Sequence, residues 1–453
     1  MKTNLKFIAG WIALGLILLL ILSILRASFF SEVVEEKRIW FELSFLLLAA
    51  VMAELLVVRL KQPTVMILLV LGIVISPSAI TLIVPVFYSI ASFLAGLVGA
   101  SLVFKEIPHL VDSDGVIQVF AQLGAILLLF KIGLHSEIKE IFNVRNFVVG
   151  ILGIIIPFTA GFYYASFMGH GFAYAMFLGA ALTATSVGVT VAVLDELKLL
   201  GSRFAKVILG AAVIDDILAL LVLSLITKFP TELTAPALSP FFTTIATALI
   251  FVVGGIKLGH VLVRKYFDKE IEGKISNQTF LGILAYVLAY AYIAEFIGLS
   301  AIVGAFIAGI TLNYSKLTHK LFELFYPLEA LFTPLFFISL GMLVDIPALL
   351  NNIVPILVIT ILAIITKVVG CGLGAVLMKV PFKESIAVGV GMIPRGEIAL
   401  IIGLYGLTAL TSTGDPILSS AEYAVIASMA FLTTIIAPAL IQKAVKLNAG
   451  AEI

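Results

Sequence analysis

The 453-residue chain is 62% hydrophobic and 12% charged, with a formal net charge of +1 and a mean hydropathy of +1.21. Those values exclude a soluble globular protein; the near-neutral balance says nothing about partners, and no nucleic acid is expected among them. The single cysteine, Cys371, excludes an internal disulfide. No Gly/Ser linker or charge block divides the chain, so residues 1–453 are expected to form one transmembrane domain.

MKTNLK leads into an apolar run from Phe7 to Leu25. That run is long for a signal peptide and lacks a small-x-small cleavage site, so residues 1–39 are expected to add a retained first helix, 7–26. Further apolar spans follow at 40–58, 64–80, 117–134, 147–168, 172–194, 204–227, 239–262, 278–296, 299–314, 329–348, 354–378, 384–408 and 420–441. The chain thus reads as an all-α polytopic membrane protein of about 14 transmembrane helices. Alternating them across a bilayer places nineteen Lys and Arg residues on one side and five on the other. The positive-inside bias makes the richer side cytoplasmic, with both termini there. Counting Val84–Phe104 as a span would reverse that bias, so residues 81–113 are expected as an external insertion, re-entrant or surface-lying. Lys131, near a cytoplasmic span end, is expected to snorkel. Asp195, Glu196 and Lys198 are expected at a cytoplasmic helix end.

The sequence also repeats itself. ILLLFKIGLHSEI, from Ile126, resembles PLFFISLGMLVDI, from Pro334, at an offset of 208. The same offset carries ALTATSVGVT, from Ala181, onto the stretch beginning near Gly389 that contains Pro394. LGIVISPS near Gly72 pairs with AGITLNYS near Gly309. In the topology above, 64–80 enters from the cytoplasm and 299–314 from outside, so the repeats are inverted. Inverted repeats with interrupted helices meeting at mid-membrane are an architecture of secondary transporters.

The sharpest chemical signal is Asp215-Asp216, placed inside the apolar segment Phe204–Thr227. Asp215 lies about 16 Å into that helix, where an ionised carboxylate costs on the order of 3 kcal/mol on insertion scales. Such a pair requires a partner, a cation or water. Three other segments carry polar groups at similar depth: Lys367; Pro394, Arg395 and Glu397; and the hydroxyls of Thr183, Thr185 and Ser186. Proline removes a helix donor and the hydroxyls can satisfy loosened backbone, so both stretches suit helices that break at a site and offer carbonyls and half-helix ends to an ion. Adjacent helical residues point about 100° apart. Asp216 is therefore assigned to a cation or proton, and Asp215 to a pair with Lys367. A hard cation such as sodium suits carboxylate, hydroxyl and carbonyl oxygens, and it competes with protons for the same group. Arg395 and Glu397 are expected to form a structural pair holding the broken helices together.

Two other classes fit poorly. An intramembrane aspartyl protease needs aspartates from two helices sharing a proton, whereas these are consecutive on one. A passive channel would need a filter motif, and none is present.

Several motifs, in order, resemble bacterial sodium–proton antiporters of the NapA type, within the cation:proton antiporter superfamily that includes NhaA and Kef systems. They are FELSFLLLAAVMAELLVVRLKQP, LLLFKIGL, ATSVGVTVAVLDEL, ILGAAVIDDILALLVL, LSAIVGAFIAGI, TKVVGCGLGA and GMIPRGEIALII. The resemblance covers the chain from about residue 40 onward. It implies an NhaA-like fold with two broken, crossing helices, and a homodimer embedded in membrane lipid. It implies elevator-like motion of a core against a dimerisation scaffold, with no cofactor and no enzymatic reaction. By matched motif, Asp215 and Asp216 carry sodium (or lithium) and protons, Lys367 pairs with the first aspartate, and the two carboxylates imply exchange that moves net charge. A Kef-like potassium–proton exchanger is the alternative within the superfamily. The first helix and the 81–113 insertion depart from the pattern.

Overall fold

The computed structural model describes residues 35–60, 62–83, 85, 89, 115–141, 143–226, 243, 246–267, 276–315, 318–408 and 416–449. The expected first helix, 7–26, and all of 81–113 except Thr81–Ile83, Pro85 and Ser89 lie outside the described residues. Every regular element described is a helix. In chain order these are α1 (Glu35–Leu60), α2 (Thr64–Val74), α3 (Pro77–Ile83), α4 (Gly115–Leu134), α5 (Ile138–Ile141), α6 (Val144–Phe167), α7 (Phe172–Ala181), α8 (Val187–Glu196) and α9 (Arg203–Ile226). They continue with α10 (Ala246–Tyr266), α11 (Asn277–Phe296), α12 (Ala301–Asn313), α13 (Thr318–Met342), α14 (Ile346–Asn351), α15 (Ile353–Leu377), α16 (Phe382–Gly391), α17 (Glu397–Thr408) and α18 (Ser420–Ala449).

Seven of the described helices are long and apolar enough to cross a bilayer, and eight if α2 and α3 form one bent span. The expected spans 172–194 and 384–408 are each interrupted, so their halves are short. At 1.5 Å per residue α7 and α8 are each about 15 Å long, half a bilayer core. The surface explains the composition. Along α15 the residues Val354, Leu357, Val358, Ile361, Ile365 and Val369 are exposed, while Ile356, Ile359, Ala363, Lys367, Gly370 and Cys371 are buried. A helix that presents apolar side chains outward and a lysine inward belongs in lipid.

Local sequence sets the helix ends. Asn143 caps α6, its Oδ1 accepting from Asn146 N at 2.9 Å, and Ser276 caps α11, accepting from Thr279 N at 3.1 Å. Pro77 cannot continue α2, and the chain bends 56° there. Ser76 caps the new helix, its Oγ accepting from Ala79 N at 3.1 Å. The span expected at 329–348 starts earlier and stops sooner: α13 runs Thr318–Met342, and Asp345 begins α14 by accepting from Ala348 N at 3.1 Å.

The chain divides into two compact units, one holding residues up to Gly124 with Ala330–Leu350, the other Ala125–Glu329 with Asn351 onward. In the first, Gly72 and Gly341 meet backbone to backbone, a Cβ on either standing 2.9 Å from the Cα of the other. Phe120 stacks on Phe332 at 5.7 Å, and Ser78 Oγ donates to Val344 O at 2.6 Å. In the second, α4 crosses α12 at Gly133 and Gly309, where a Cβ on Gly133 would lie 2.9 Å from Gly309 Cα. The most extensive helix pair there is α6 with α15. Gly370 and Gly374 make it close: a Cβ on them would stand 2.6 Å from Leu152 O and 2.8 Å from Val149 Cα.

Two turns in this unit are built alike. After α6, His170 N donates to Ala165 O at 3.1 Å and Gly169 has φ +83°; after α15, Val380 N donates to Ala375 O at 3.0 Å and Lys379 has φ +60°. The likeness continues to the helix breaks, where Thr183 N donates to Ala180 O at 2.9 Å and Ile393 N to Val390 O at 3.2 Å. Matching positions here are 210 residues apart, two more than the offset of 208 expected from sequence.

Candidate functional site

Asp215 and Asp216 lie midway along α9, both buried. α9 packs against α6, α7, α8 and α16, so its polar pair is surrounded by the halves of both broken helices. The breaks fall at 182–186, between α7 and α8, and at 392–396, between α16 and α17. Pro394 explains the second, since its ring removes an N–H and obstructs the preceding turn. The first has no proline; there Thr183 folds its hydroxyl onto Ala180 O at 2.7 Å. The breaks join directly, Ser186 N donating to Pro394 O at 2.7 Å. Gly396 makes room for that approach, because a Cβ there would stand 2.6 Å from Ser186 Cβ. Thr190 Oγ1 donates to Gly391 O at 2.6 Å, satisfying the end of α16 from α8.

Lys367 reaches into this layer from α15, fully buried. Its Nζ donates to Asp215 Oδ1 at 2.9 Å, to Gly153 O at 2.8 Å and to Thr183 O at 2.6 Å. Those acceptors match the three N–H donors of an ammonium group. Gly153 is required for the arrangement: a Cβ there would stand 2.5 Å from Cys371 Sγ and 3.6 Å from Lys367 Nζ. Asp215 Oδ2 is buried without a hydrogen-bond partner among the described residues. Asp216 faces elsewhere. It lines a cavity of about 10 Å³ with Leu129, Val187, Leu209, Val213, Ile302, Val303 and Phe306. That is room for about one water, and the other residues lining the cavity are apolar.

Arg395, also fully buried, donates from Nη1 to Thr183 O at 3.1 Å and Ala184 O at 2.9 Å, and from Nη2 to Ala363 O at 3.1 Å. Its own backbone is held by α18: Arg395 N donates to Thr433 Oγ1 at 3.3 Å, and Thr434 Oγ1 donates to Arg395 O.

This geometry revises two expectations. Carbonyls freed at the first break were expected to serve an ion, yet Thr183 O and Ala184 O are taken by the protein's own Lys367 and Arg395. A helix C-terminus is negative and an unpaired buried carbonyl costly, so internal cations satisfy them. Arg395 does hold the broken helices together, but its described partners are main-chain carbonyls; the side chain of Glu397 lies outside the described residues. Among the hydroxyls, Thr183 is folded onto its own helix, Thr185 Oγ1 is buried without a hydrogen-bond partner among the described residues, and neither they nor Ser186 line the Asp216 cavity.

Lys131 is a third correction. Instead of snorkelling, its Nζ lies 2.7 Å from Asp195 Oδ2 and 3.0 Å from Glu329 Oε1, tying α4 to α8 and α13. Sequence inspection passed over Glu329 as a partner, and over Gly153, Ala363, Thr433 and Thr434. Main-chain acceptors leave no signature in side-chain type, although paired threonines in the apolar α18 were a visible signal.

A helical membrane protein with a buried carboxylate pair beside two joined helix breaks has the form of a secondary transporter. Residues 45–447 match the transmembrane sodium/hydrogen exchanger family, and the chain belongs to that family, within the cation:proton antiporter superfamily. It is 31% identical over 414 residues to the Na(+)/H(+)-K(+) antiporter GerN of Bacillus cereus, spanning 90% of this chain and 96% of that one. It is 33% identical over 424 residues to the high-affinity Na(+)/H(+) antiporter NhaS3 of Synechocystis, spanning 88% and 90%. The solved structure of the sodium proton antiporter MjNhaP1 from Methanocaldococcus jannaschii at pH 8 shares the fold, with a TM-score of 0.60 at 19% identity over 90% of this chain and 99% of that one.

Proposed function

We propose that this protein is an electrogenic sodium (or lithium)/proton antiporter of a cytoplasmic membrane, with both termini inside. The observation that carries this reading is the division of labour between neighbours. Asp215 is committed to Lys367, while Asp216 faces a cavity that holds one small occupant. A carboxylate in such a cavity takes either a proton or a dehydrated cation, and that competition is exchange in its simplest form. Charge counting supplies the coupling. With a proton on Asp216 and the Asp215–Lys367 pair intact, the site is neutral. When sodium enters, Lys367 gives up its proton and Asp215 turns to the ion. The site then holds two carboxylates, a neutral amine and one cation, a net charge of −1. Two protons are exchanged for one sodium ion, one charge moves per cycle, and 100 mV of membrane potential contributes about 2.3 kcal/mol.

The alternating-access part of the proposal is an elevator-like motion within a homodimer built on inverted repeats. It is supported by paired features in the backbone: the glycine crossings at Gly72–Gly341 and Gly133–Gly309, and the matching bonds after α6 and α15. Potassium is a second reading of the cation, favoured by the name of the GerN relative, which includes potassium.

The test is cation-driven proton flux in proteoliposomes, with sodium, lithium and potassium added in turn to the wild-type protein and to Asp216→Asn. A sodium or lithium response that disappears in the variant is expected. Robust exchange by Asp216→Asn would remove the central claim, and a response to potassium alone would move the cation assignment.

A further inference from the structure

A second cavity, of about 270 Å³, is lined by Arg145, Gly201, Arg203 and Lys206. It lies at the start of α9, thirteen residues from Asp216, which corresponds to about 20 Å along the helix. Three of its four lining residues are cations and none is acidic. Sodium is repelled from such a place, so the cavity is no part of a cation route.

Its construction is specific. Arg145 is the second residue of α6, while Arg203 and Lys206 are the first and fourth of α9. The first turn of a helix carries the positive end of its dipole, where cations are disfavoured and anions favoured. Two positive helix ends and three cationic side chains therefore converge on one volume. Arg145 is half-buried, and its Nε is buried without a hydrogen-bond partner among the described residues. Gly201 leaves the cavity open, since a Cβ there would meet nothing within 4 Å.

We propose that this cavity binds a phosphate-bearing anion and that the bound group clamps α6 to α9. Arginine forks match phosphate oxygens in pairs, and Lys206 adds a point charge. The phosphate can be that of an anionic lipid headgroup or of a soluble compound. α6 supplies the Gly153 carbonyl to Lys367 and α9 carries both aspartates, so occupancy stiffens the frame of the exchange site without touching it.

The experiment is thermal unfolding of the purified full chain in detergent. One arm adds phosphatidic acid or phosphatidylcholine, and the other adds pyrophosphate against chloride at matched ionic strength. The proteins are wild type, Arg145→Gln, Arg203→Gln and the exposed-site control Lys383→Gln. Phosphatidic acid is expected to raise the Tm of wild type and control by several degrees, phosphatidylcholine to have no effect, and each arginine variant to lose more than half of the shift. A response to phosphatidic acid alone assigns a headgroup, and a matching response to pyrophosphate assigns a soluble phosphate. No response to either, or a shift retained in full by both arginine variants, overturns the proposal. If an arginine variant is too unstable to unfold cooperatively, native mass spectrometry of wild type and Lys206→Gln decides instead. One retained phosphatidic acid on wild type and about tenfold weaker retention on the variant are expected; equal retention overturns the site.

Discussion

Lys367 places every ammonium proton inside the protein, on one carboxylate and two carbonyls. Removing it strands Asp215 as a fully buried carboxylate, a loss typically worth about 3–5 kcal/mol, whereas replacing both partners of a buried pair is often near neutral. Lys367→Ala is therefore expected to lower Tm sharply, and Asp215→Asn combined with Lys367→Met to recover most of the loss. In proteoliposomes Lys367→Ala should also lose the acceleration of exchange by an imposed membrane potential. Unchanged voltage dependence in a folded variant would separate this pair from coupling. The residues themselves were legible in sequence, because charges at mid-span are costly enough to announce a role. Less legible was their setting. The acceptors Gly153 O and Thr183 O are backbone atoms, and the tightness of Gly153 against Cys371 depends on how closely α6 and α15 approach.

The broken helices show how far an element can be inferred from its letters. Pro394 marks its break by chemistry. The break at 182–186 was signalled only by hydroxyls and by a loose repeat, and its carbonyls are held by cations from elements far off in sequence. Lys131 illustrates the same limit: Asp195 and Glu329 are 64 and 198 residues away, beyond any periodicity argument. The triad is mostly buried, its side chains being 21%, 30% and 13% exposed. Lys131→Met is therefore expected to cost about 2 kcal/mol, between the values for exposed and buried pairs. Thermal unfolding checks it: adding Glu329→Gln to Lys131→Met should restore part of the lost Tm. A Tm unchanged by Lys131→Met would reduce the triad to a surface contact.

At the scale of the whole molecule, hydropathy located the seven described helices long and apolar enough to cross a bilayer, because lipid imposes the same demand on every helix and α15 displays it residue by residue. Span boundaries slipped where caps such as Asp345 take over from hydropathy. The paired turns after α6 and α15 carry a consequence for biogenesis. Gly169 and Lys379 fill the same backbone role, and a left-handed φ costs a non-glycine residue about 1 kcal/mol or more. Glycine would suit both places, yet one keeps a lysine, whose charge also complements the helix end. On the positive-inside reading, that lysine would serve as a label for the insertion machinery while the hairpin is still entering the bilayer. Exchanging the two labels, Gly169→Lys with Lys379→Gly, is expected to change the stability by no more than about 1 kcal/mol yet to leave a fraction of chains with the α15–α16 hairpin inserted on the wrong side. A cysteine at the exposed Pro381 reports that fraction through a membrane-impermeant thiol reagent, and the buried Cys371 adds no background. If all chains still label from one side, topology is decided elsewhere. If they divide, the paired turns after α6 and α15 also serve as an addressing system during synthesis.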